Sequence, residues 1–163
     1  MLQTQIGPSS ASVQVTVQVF NFGDSDLKLL SGLTVNLDSQ NATSSSPLII
    51  EAGSSVQVTF PNMTIAKSRW WWPYRMGIPT LLQLTVQKSD QTEVLLQAKV
   101  GVRQIESGLD EDGYRFYSVN GQRFVVRGGG WANELFLQNQ FNWTWTGLHL
   151  ARHMGLNMIR LEG

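Results

Sequence analysis

Hydrophobic and polar residues alternate in the N-terminal part of the chain. From Val13 to Val19 a valine stands at every second position, with Gln or Thr between successive valines. This period of two is typical of a β-strand with one buried face. Residues 21–28 then supply the Asn, Gly and Asp that are typical of a turn.

Further short apolar runs follow, separated by polar segments such as residues 38–46. These runs cover residues 32–37, 47–50, 54–60, 81–87 and 94–103. Several short strands with no helical pattern between them are typical of an antiparallel β-sandwich. We therefore predict an all-β sandwich domain at about residues 8–107.

The pattern changes after Glu106. Residues 108–113 form an acidic, loop-like segment, and Asn120-Gly121 then separates the apolar runs 114–119 and 123–126. Asn-Gly between two apolar runs is the strongest short-range signal for a β-hairpin. The second arm of this predicted hairpin continues into three consecutive glycines, Gly128–Gly130.

A helical stripe follows the glycines. Its apolar residues recur at spacings of three and four, as Phe141, Trp145, Leu148, Ala151 and Met154. Asn142 is the predicted N-cap, His153 lies in the last turn, and Gly155 suits the C′ position just after the helix. The apolar run 158–161 then predicts one more short strand.

Strand, helix and strand in this order form a βαβ unit, whose two strands should be parallel. A parallel sheet needs cover on both faces, and about fifty residues supply only two strands and one helix. A (β/α)₈ barrel takes about 250 residues. We therefore expect residues 114–163 to be the first βαβ unit of a truncated (β/α)₈ TIM barrel.

Composition narrows the possible functions. The 163 residues contain 12 basic and 12 acidic side chains, so no basic surface for nucleic acid is expected. No apolar run approaches the roughly 20 residues of a membrane helix, and the first residues do not have the pattern of a signal peptide. The absence of cysteine excludes disulfides, thiolate metal sites and a cysteine nucleophile.

Three segments, in a fixed order, resemble family 2 glycoside hydrolases. Residues 69–77 (RWWWPYRMG) resemble the W-W-P-x-G-x-G segment of that family's immunoglobulin-like domain, and Gly101-Val102-Arg103 resembles its F-G-[IV]-R. Residues 117–131 resemble its V-N-G-K-P…R-G hairpin and first barrel strand. The resemblance implies an immunoglobulin-like sandwich at residues 8–107, followed by the start of the catalytic barrel.

Two further segments resemble the exo-β-D-glucosaminidase branch of this family. Residues 128–137 match its G-G-G-Y-x-P-D-L-F-L, and residues 155–163 match its L-N-x-[IV]-R-L-E-G. The β-mannosidases of the family usually have N-x-[IV]-R-V-W-G-G at the second place. The resemblance therefore implies a fragment of a retaining exo-acting β-glycosidase that removes terminal β-D-glucosamine from chitosan or chitooligosaccharides, with β-mannosidase or another family 2 β-glycosidase as the alternative.

The same resemblance implies what else the enzyme needs. The family places both catalytic carboxylates on later barrel strands, so this chain is expected to be inactive alone and to work with the missing domains of its parent chain. No metal or organic cofactor is implied. The expected partner is an oligosaccharide or polysaccharide substrate. Neither nucleic acid nor a membrane is expected as a partner.

Four residues are candidates for substrate binding. By resemblance, Arg160 ends the second barrel strand beside the nucleophilic carboxylate, which a fixed cation would keep ionised; the alternative is a structural salt bridge. Glu134 and Glu162 could accept hydrogen bonds from the substrate ammonium, or Glu162 could brace Arg160. Trp131 could stack on a sugar ring. The glycines Gly128–Gly130 either admit a sugar close to the backbone or allow close packing.

The triple tryptophan Trp70–Trp72 has two interpretations. Large aromatic residues at a sandwich edge favour packing at a domain interface. The alternative is a platform for sugars, which would make the sandwich a non-enzymatic carbohydrate-binding or adhesion module.

The remaining polar motifs carry less specific signals. His149 and His153 lie four residues apart, but no third ligand accompanies them, and the acidic loop 110–112 is expected to be solvated, so no metal site is predicted. Asn-x-Ser/Thr triplets begin at Asn41, Asn62 and Asn142. As glycosylation candidates they predict a secreted or lysosomal protein of the secretory pathway.

Overall fold

The computed structural model describes residues 1–44, 47–90, 93–132 and 140–162. The chain divides into two compact units. The first comprises Met1–Trp72 and Met76–Gln104, and the second comprises Pro73–Arg75 and Ile105–Gly163. In the described part of the chain no helix is long and apolar enough to cross a membrane.

The described residues of the first unit form ten strands and one 3₁₀ turn. The strands are β1 (Leu2–Ile6), β2 (Ser10–Phe20), β3 (Leu27–Leu29), β4 (Leu33–Leu37), β5 (Gln40–Thr43), β6 (Leu48–Ile50), β7 (Ser55–Thr59), β8 (Met63–Ala66), β9 (Leu82–Lys88) and β10 (Val94–Val100), with the 3₁₀ turn at Lys67–Arg69. One sheet has the order β1-β2-β7 with β8 also paired to β2, a second has the order β10-β9-β4-β5, and β3 pairs with β6. All of these pairings are antiparallel.

Buried side chains of both four-stranded sheets belong to one apolar core. The valines at alternate positions of β2 point into it, and Val13 and Val15 are fully buried. The opposite sheet contributes Leu33, Val35 and Val86 to the same cluster. The predicted antiparallel sandwich is therefore confirmed.

Sequence patterns missed four strands of this unit. β3 lies partly inside the predicted turn 21–28, and β5 lies inside the polar segment 38–46. β5 is an edge strand that buries only Ala42, so its sequence carries almost no apolar alternation. β1 and β8 were also not predicted, and the strand predicted at residues 94–103 ends at Val100.

The second unit begins with a small antiparallel sheet. Its strands are β11 (Ile105–Leu109), β12 (Arg115–Val119) and β13 (Gln122–Phe124), in that order. Asn120 and Gly121 connect β12 to β13 with φ angles of 51° and 75°. Two positive φ values are what a type I′ hairpin turn requires, so the Asn-Gly prediction is confirmed. β11 was not predicted. It ends at Leu109, so the loop predicted at residues 108–113 begins only after that residue.

A βαβ unit follows, built from β14 (Gly128–Ala132), α1 (Phe141–His153) and β15 (Met158–Glu162). β14 and β15 are parallel, as predicted. Gly155 follows α1 with a φ of 82°. Its amide donates to the Arg152 carbonyl and the Leu156 amide donates to the Ala151 carbonyl, which is the hydrogen-bond pattern of a Schellman C-cap.

One prediction about α1 was wrong. Asn142 is not the N-cap, because α1 begins one residue earlier and the cap position is Gln140, which makes no side-chain capping bond. A residue inside the first turn has helical dihedrals and cannot cap it. The apolar stripe of α1 is exposed: no residue of the helix is buried, and Phe141 is 78% exposed. Two strands are too narrow to cover such a stripe.

Candidate functional site

The candidate site lies on one face of the parallel pair β14–β15. Gly130 pairs with Arg160, Trp131 with Leu161 and Ala132 with Glu162. Successive side chains of a strand point to opposite faces, so Arg160 and Glu162 share the face that contains Gly130. Glu162 is the last residue of β15, and Arg160 lies two residues before it.

Arg160 and Glu162 form an ion pair on that face. Arg160 Nη2 lies 2.5 Å from Glu162 Oε1, and their side chains are 74% and 45% exposed. An exposed pair of this kind contributes little to stability, about 0–1 kcal/mol. Arg160 thus fixes the direction of a partly exposed carboxylate, an arrangement that suits polar recognition better than folding.

The glycines of β14 allow this arrangement. A Cβ at Gly130 would overlap Glu162 Oε1, and a Cβ at Gly128 would overlap the carbonyl oxygen of Met158, whereas a Cβ at Gly129 would meet nothing within 4 Å. Gly130 therefore leaves the space in which the carboxylate lies over the strand. Gly128 leaves the space in which the two strands approach each other.

Trp131 lies on the other face of the strand pair. Its ring packs on Gly147 of α1, where even a Cβ would overlap it. This is the geometry of a strand–helix contact, and stacking of Trp131 on a sugar ring stays a prediction. The structure thus brings two of the four predicted residues together and separates Trp131 from them. Glu134 lies outside the described residues.

The triple tryptophan packs within the first unit. Trp70 is 2% exposed and its Nε1 donates to the Ile65 carbonyl at 3.4 Å. The guanidinium of Arg103 lies 4.6 Å from the centre of the Trp71 ring. A Trp70 ring buried in the core cannot bind a sugar, so this geometry favours packing over the platform interpretation.

The tryptophans also explain two glycines that sequence patterns left unexplained. A Cβ at Gly77 would lie 2.8 Å from Trp72 Cγ, and a Cβ at Gly101 would lie 2.8 Å from Trp71 Cγ. Real Cβ atoms do not approach so closely without a shift of the neighbour. The glycines of the RWWWPYRMG and GVR segments are therefore contact positions for the indole rings.

The chain is similar to known glycosidases, although no family model matches it. The exo-β-D-glucosaminidase of Streptomyces avermitilis is 32% identical over 96% of this chain, which spans 18% of the relative's length. The crystal structure of an exo-chitosanase from Amycolatopsis orientalis superposes with a TM-score of 0.82 and 27% identity, over 100% of this chain and 19% of that one. The chain belongs to glycoside hydrolase family 2.

A plant relative is also similar. The mannosylglycoprotein endo-β-mannosidase of Lilium longiflorum is 36% identical over 71% of this chain, which spans 13% of the relative. All three of these proteins are glycosidases by name. The chain spans less than a fifth of each of them.

One cluster departs from the family 2 pattern. Arg75 stands at the position of a glycine in the W-W-P-x-G-x-G segment, and its φ is 70°. The guanidiniums of Arg75 and Arg152 lie 5.6 and 4.4 Å from the Tyr74 ring centre. Hydrogen bonds, first from Arg75 and then from Arg152, lower the pKa of Tyr74. Sequence analysis missed this cluster, and the arginine at a glycine position was its only signal.

The two histidines and the acidic loop have structural partners. The centre of the His149 ring lies 3.8 Å from the centre of the Trp145 ring, and the His153 ring is tilted against the His149 ring with its centre 6.4 Å away. Asp110 Oδ1 accepts hydrogen bonds from the amides of Asp112 and Tyr114, which closes the turn before β12. Within the described ranges no three potential ligands group around a metal position.

Proposed function

We propose that the chain is the immunoglobulin-like sandwich, at about residues 8–107, and the first βαβ unit, at residues 114–163, of a retaining exo-acting β-glycosidase with a (β/α)₈ barrel. The placement of the ion pair carries the proposal. In such barrels the helices lie outside and the active site lies at the C-terminal ends of the strands. Glu162 is the last residue of β15 and Arg160 lies two residues before it, on the face opposite the Trp131–Gly147 contact with α1. This position supports the proposal that the pair belongs to the mouth of such a barrel.

The proposed substrate is a terminal β-D-glucosamine residue of chitosan or a chitooligosaccharide. The amine of this sugar is charged, and a carboxylate that accepts its hydrogen bond contributes about 1.5–3 kcal/mol. Glu162 offers such a carboxylate, held by Arg160. Glu134, one methylene longer than the aspartate of the exo-β-D-glucosaminidase pattern, is proposed as the second acceptor.

The proposed reaction uses two carboxylates about 5–5.5 Å apart, one to protonate the glycosidic oxygen and one to attack the anomeric carbon. We assign neither to this chain, and we expect the chain alone to be inactive. In the whole protein Arg160 would keep a neighbouring carboxylate ionised, because a fixed cation lowers the pKa of an acid beside it. No metal or organic cofactor takes part.

The test is an assay of the whole protein on chitooligosaccharides and on an aryl β-mannoside. We expect hydrolysis of the glucosamine substrate and a Glu162→Gln variant whose kcat/KM on it falls roughly 10- to 100-fold. Glu111→Gln, in the exposed acidic loop, is the matched control. Activity on the mannoside alone, or an equal effect of the two substitutions, would contradict the proposal.

β-Mannosidase is the second candidate, and similarity to the lily endo-β-mannosidase supports it. Residues 161–163 are Leu-Glu-Gly where the family's β-mannosidases usually have Val-Trp-Gly-Gly, and this difference favours glucosamine instead. Mannose has a neutral hydroxyl at carbon 2, which gains less than an ammonium does from a carboxylate's charge. The Glu162→Gln variant therefore separates the candidates, since a mannosidase would lose far less activity.

We also propose that the protein passes through the secretory pathway. The candidate glycosylation residues Asn41, Asn62 and Asn142 are all exposed. Asn62 lies in the connection between β7 and β8, whereas Asn41 lies in β5 and Asn142 in α1. A glycan needs an accessible backbone, so Asn62 is the best acceptor.

A further inference from the structure

A pair of exposed phenylalanines stands at one end of the sandwich. The Phe20 and Phe22 rings are nearly parallel, with an interplanar angle of 7° and centroids 5.7 Å apart. Phe22 is 90% exposed and Phe20 is 50% exposed. Neither side chain belongs to the apolar core, and the two rings together form a small exposed aromatic surface.

The loop that carries Phe22 is firmly held. Asn21 between the two rings is buried, and its Nδ2 donates to the carbonyls of Ser25, Ile50 and Glu51 at 2.9–3.1 Å. Its Oδ1 accepts from the Gly23 amide at 3.0 Å. These bonds tie the loop to the β6–β7 turn, so the aromatic pair is presented in a fixed position before any ligand arrives.

The surroundings of the pair are acidic. Residues 20–28 and 49–55 contain three carboxylates (Asp24, Asp26 and Glu51) and one lysine. All three acidic residues are exposed, and Asp26 Oδ1 accepts from the Ala52 amide, which keeps the two segments together. A ligand that fits this surface combines an apolar face with positive charge, because aromatic faces attract cations and the carboxylates add to that field.

We propose that the Phe20–Phe22 pair and its three carboxylates form an ancillary binding site for an amine-bearing polysaccharide. The pyranose C–H face stacks on the ring of Phe22, and the ammonium groups of neighbouring sugars lie near Asp24 and Glu51. The site would hold the polymer on the sandwich, separately from Arg160 and Glu162. The choice of polysaccharide rests on the proposed function, while the surface itself rests on the loop geometry.

The experiment uses the 163-residue chain and glucosamine oligosaccharides, with fully N-acetylated oligosaccharides as the neutral comparison. Binding is followed by calorimetry and by ring-proton shifts in NMR spectra. We expect the amine-bearing oligosaccharide to bind more tightly, with an affinity that falls as salt rises. Phe22→Ala should weaken binding roughly two- to fivefold, and Asp24→Asn with Glu51→Gln should remove the preference for the amine.

The matched control is Phe141→Ala, since Phe141 is 78% exposed and lies in the second unit. Truncation of either Phe22 or Phe141 removes no core contact, so a difference in binding between the two variants does not come from a loss of folding. Equal affinity of the wild type and Phe22→Ala, or equal loss in both variants, would overturn the proposal, as would equal binding of the neutral oligosaccharide. Hydrolysis by the whole protein with unchanged binding in Phe22→Ala would refute the ancillary site and leave the proposed function standing.

Discussion

The three glycines of β14 should respond very differently to the same substitution by alanine. None of Gly128, Gly129 and Gly130 has a positive φ, so alanine fits each backbone conformation. The difference lies in what the new methyl group meets. At Gly128 it meets the Met158 carbonyl, at Gly130 the end of the Glu162 side chain, and at Gly129 open space.

The expected free energies follow from those neighbours. Gly128→Ala pushes β14 away from the backbone of β15, and overpacking of this kind costs about 1–3 kcal/mol. Gly130→Ala displaces a flexible carboxylate and disrupts an exposed ion pair that contributes only about 0–1 kcal/mol. Gly129→Ala restricts the unfolded chain without a clash and should stabilise by about 0.4–1 kcal/mol.

Hydrogen exchange of the β15 amides is the appropriate assay, because it reports local opening of the β14–β15 pair and not unfolding of the sandwich. Relative to wild type, exchange should be roughly 5- to 150-fold faster in Gly128→Ala and slightly slower in Gly129→Ala. Gly130→Ala should fall between them and lose the Arg160–Glu162 contact. Equal exchange in the Gly128 and Gly129 variants would refute the close-approach explanation.

Three further predictions concern other parts of the chain. The pKa of Tyr74 is lowered from 10.0 in the folded chain, so the stabilisation by its ionised form is present above pH 10 and is lost as pH falls through the folded pKa. Absorbance titration should show an early tyrosine that Tyr74→Phe removes. Persistence of that early titration in the variant would assign the shift to another group. Gly155 has a φ of 82°, so Gly155→Ala should destabilise α1 by about 1–2 kcal/mol. Gly155→Asn should lower the stability measured by urea unfolding less, because asparagine tolerates this conformation. Equal losses of stability in the two variants would argue against backbone strain. Limited proteolysis should cleave residues 114–163 before the sandwich, because no residue of α1 is buried, and equal protection of both regions would contradict the incomplete βαβ unit.

Local patterns were sufficient to predict the elements that have strong periodicity or characteristic turn residues. β2 follows from its alternating valines, the β12–β13 hairpin from Asn120-Gly121, and the end of α1 from Gly155. Each depends on neighbours within a few residues, which a sequence displays directly. β5 was missed because an edge strand with one buried residue, Ala42, has no apolar rhythm to detect.

The candidate site was only partly predictable. Arg160 and Glu162 are two residues apart on a strand, so their shared face follows from the sequence alone. The side on which Trp131 packs depends on the placement of α1 across β14 and β15, which no local pattern encodes. The Tyr74 cluster joins residues that are 77 or more positions apart in the chain, and only folding brings them together.

The sequence by itself determined the antiparallel sandwich, the β12–β13 hairpin, the parallel strand pair and the family. Only the tertiary structure decided why Gly77, Gly101, Gly128 and Gly130 are glycines, where the Trp131 ring lies, and that the Phe20–Phe22 pair stands in solvent on a fixed loop. The physical reason is the range of the interactions. Periodicity and turn chemistry act between near neighbours, whereas close approach and exposure depend on residues that are distant in the chain and meet only in the folded state.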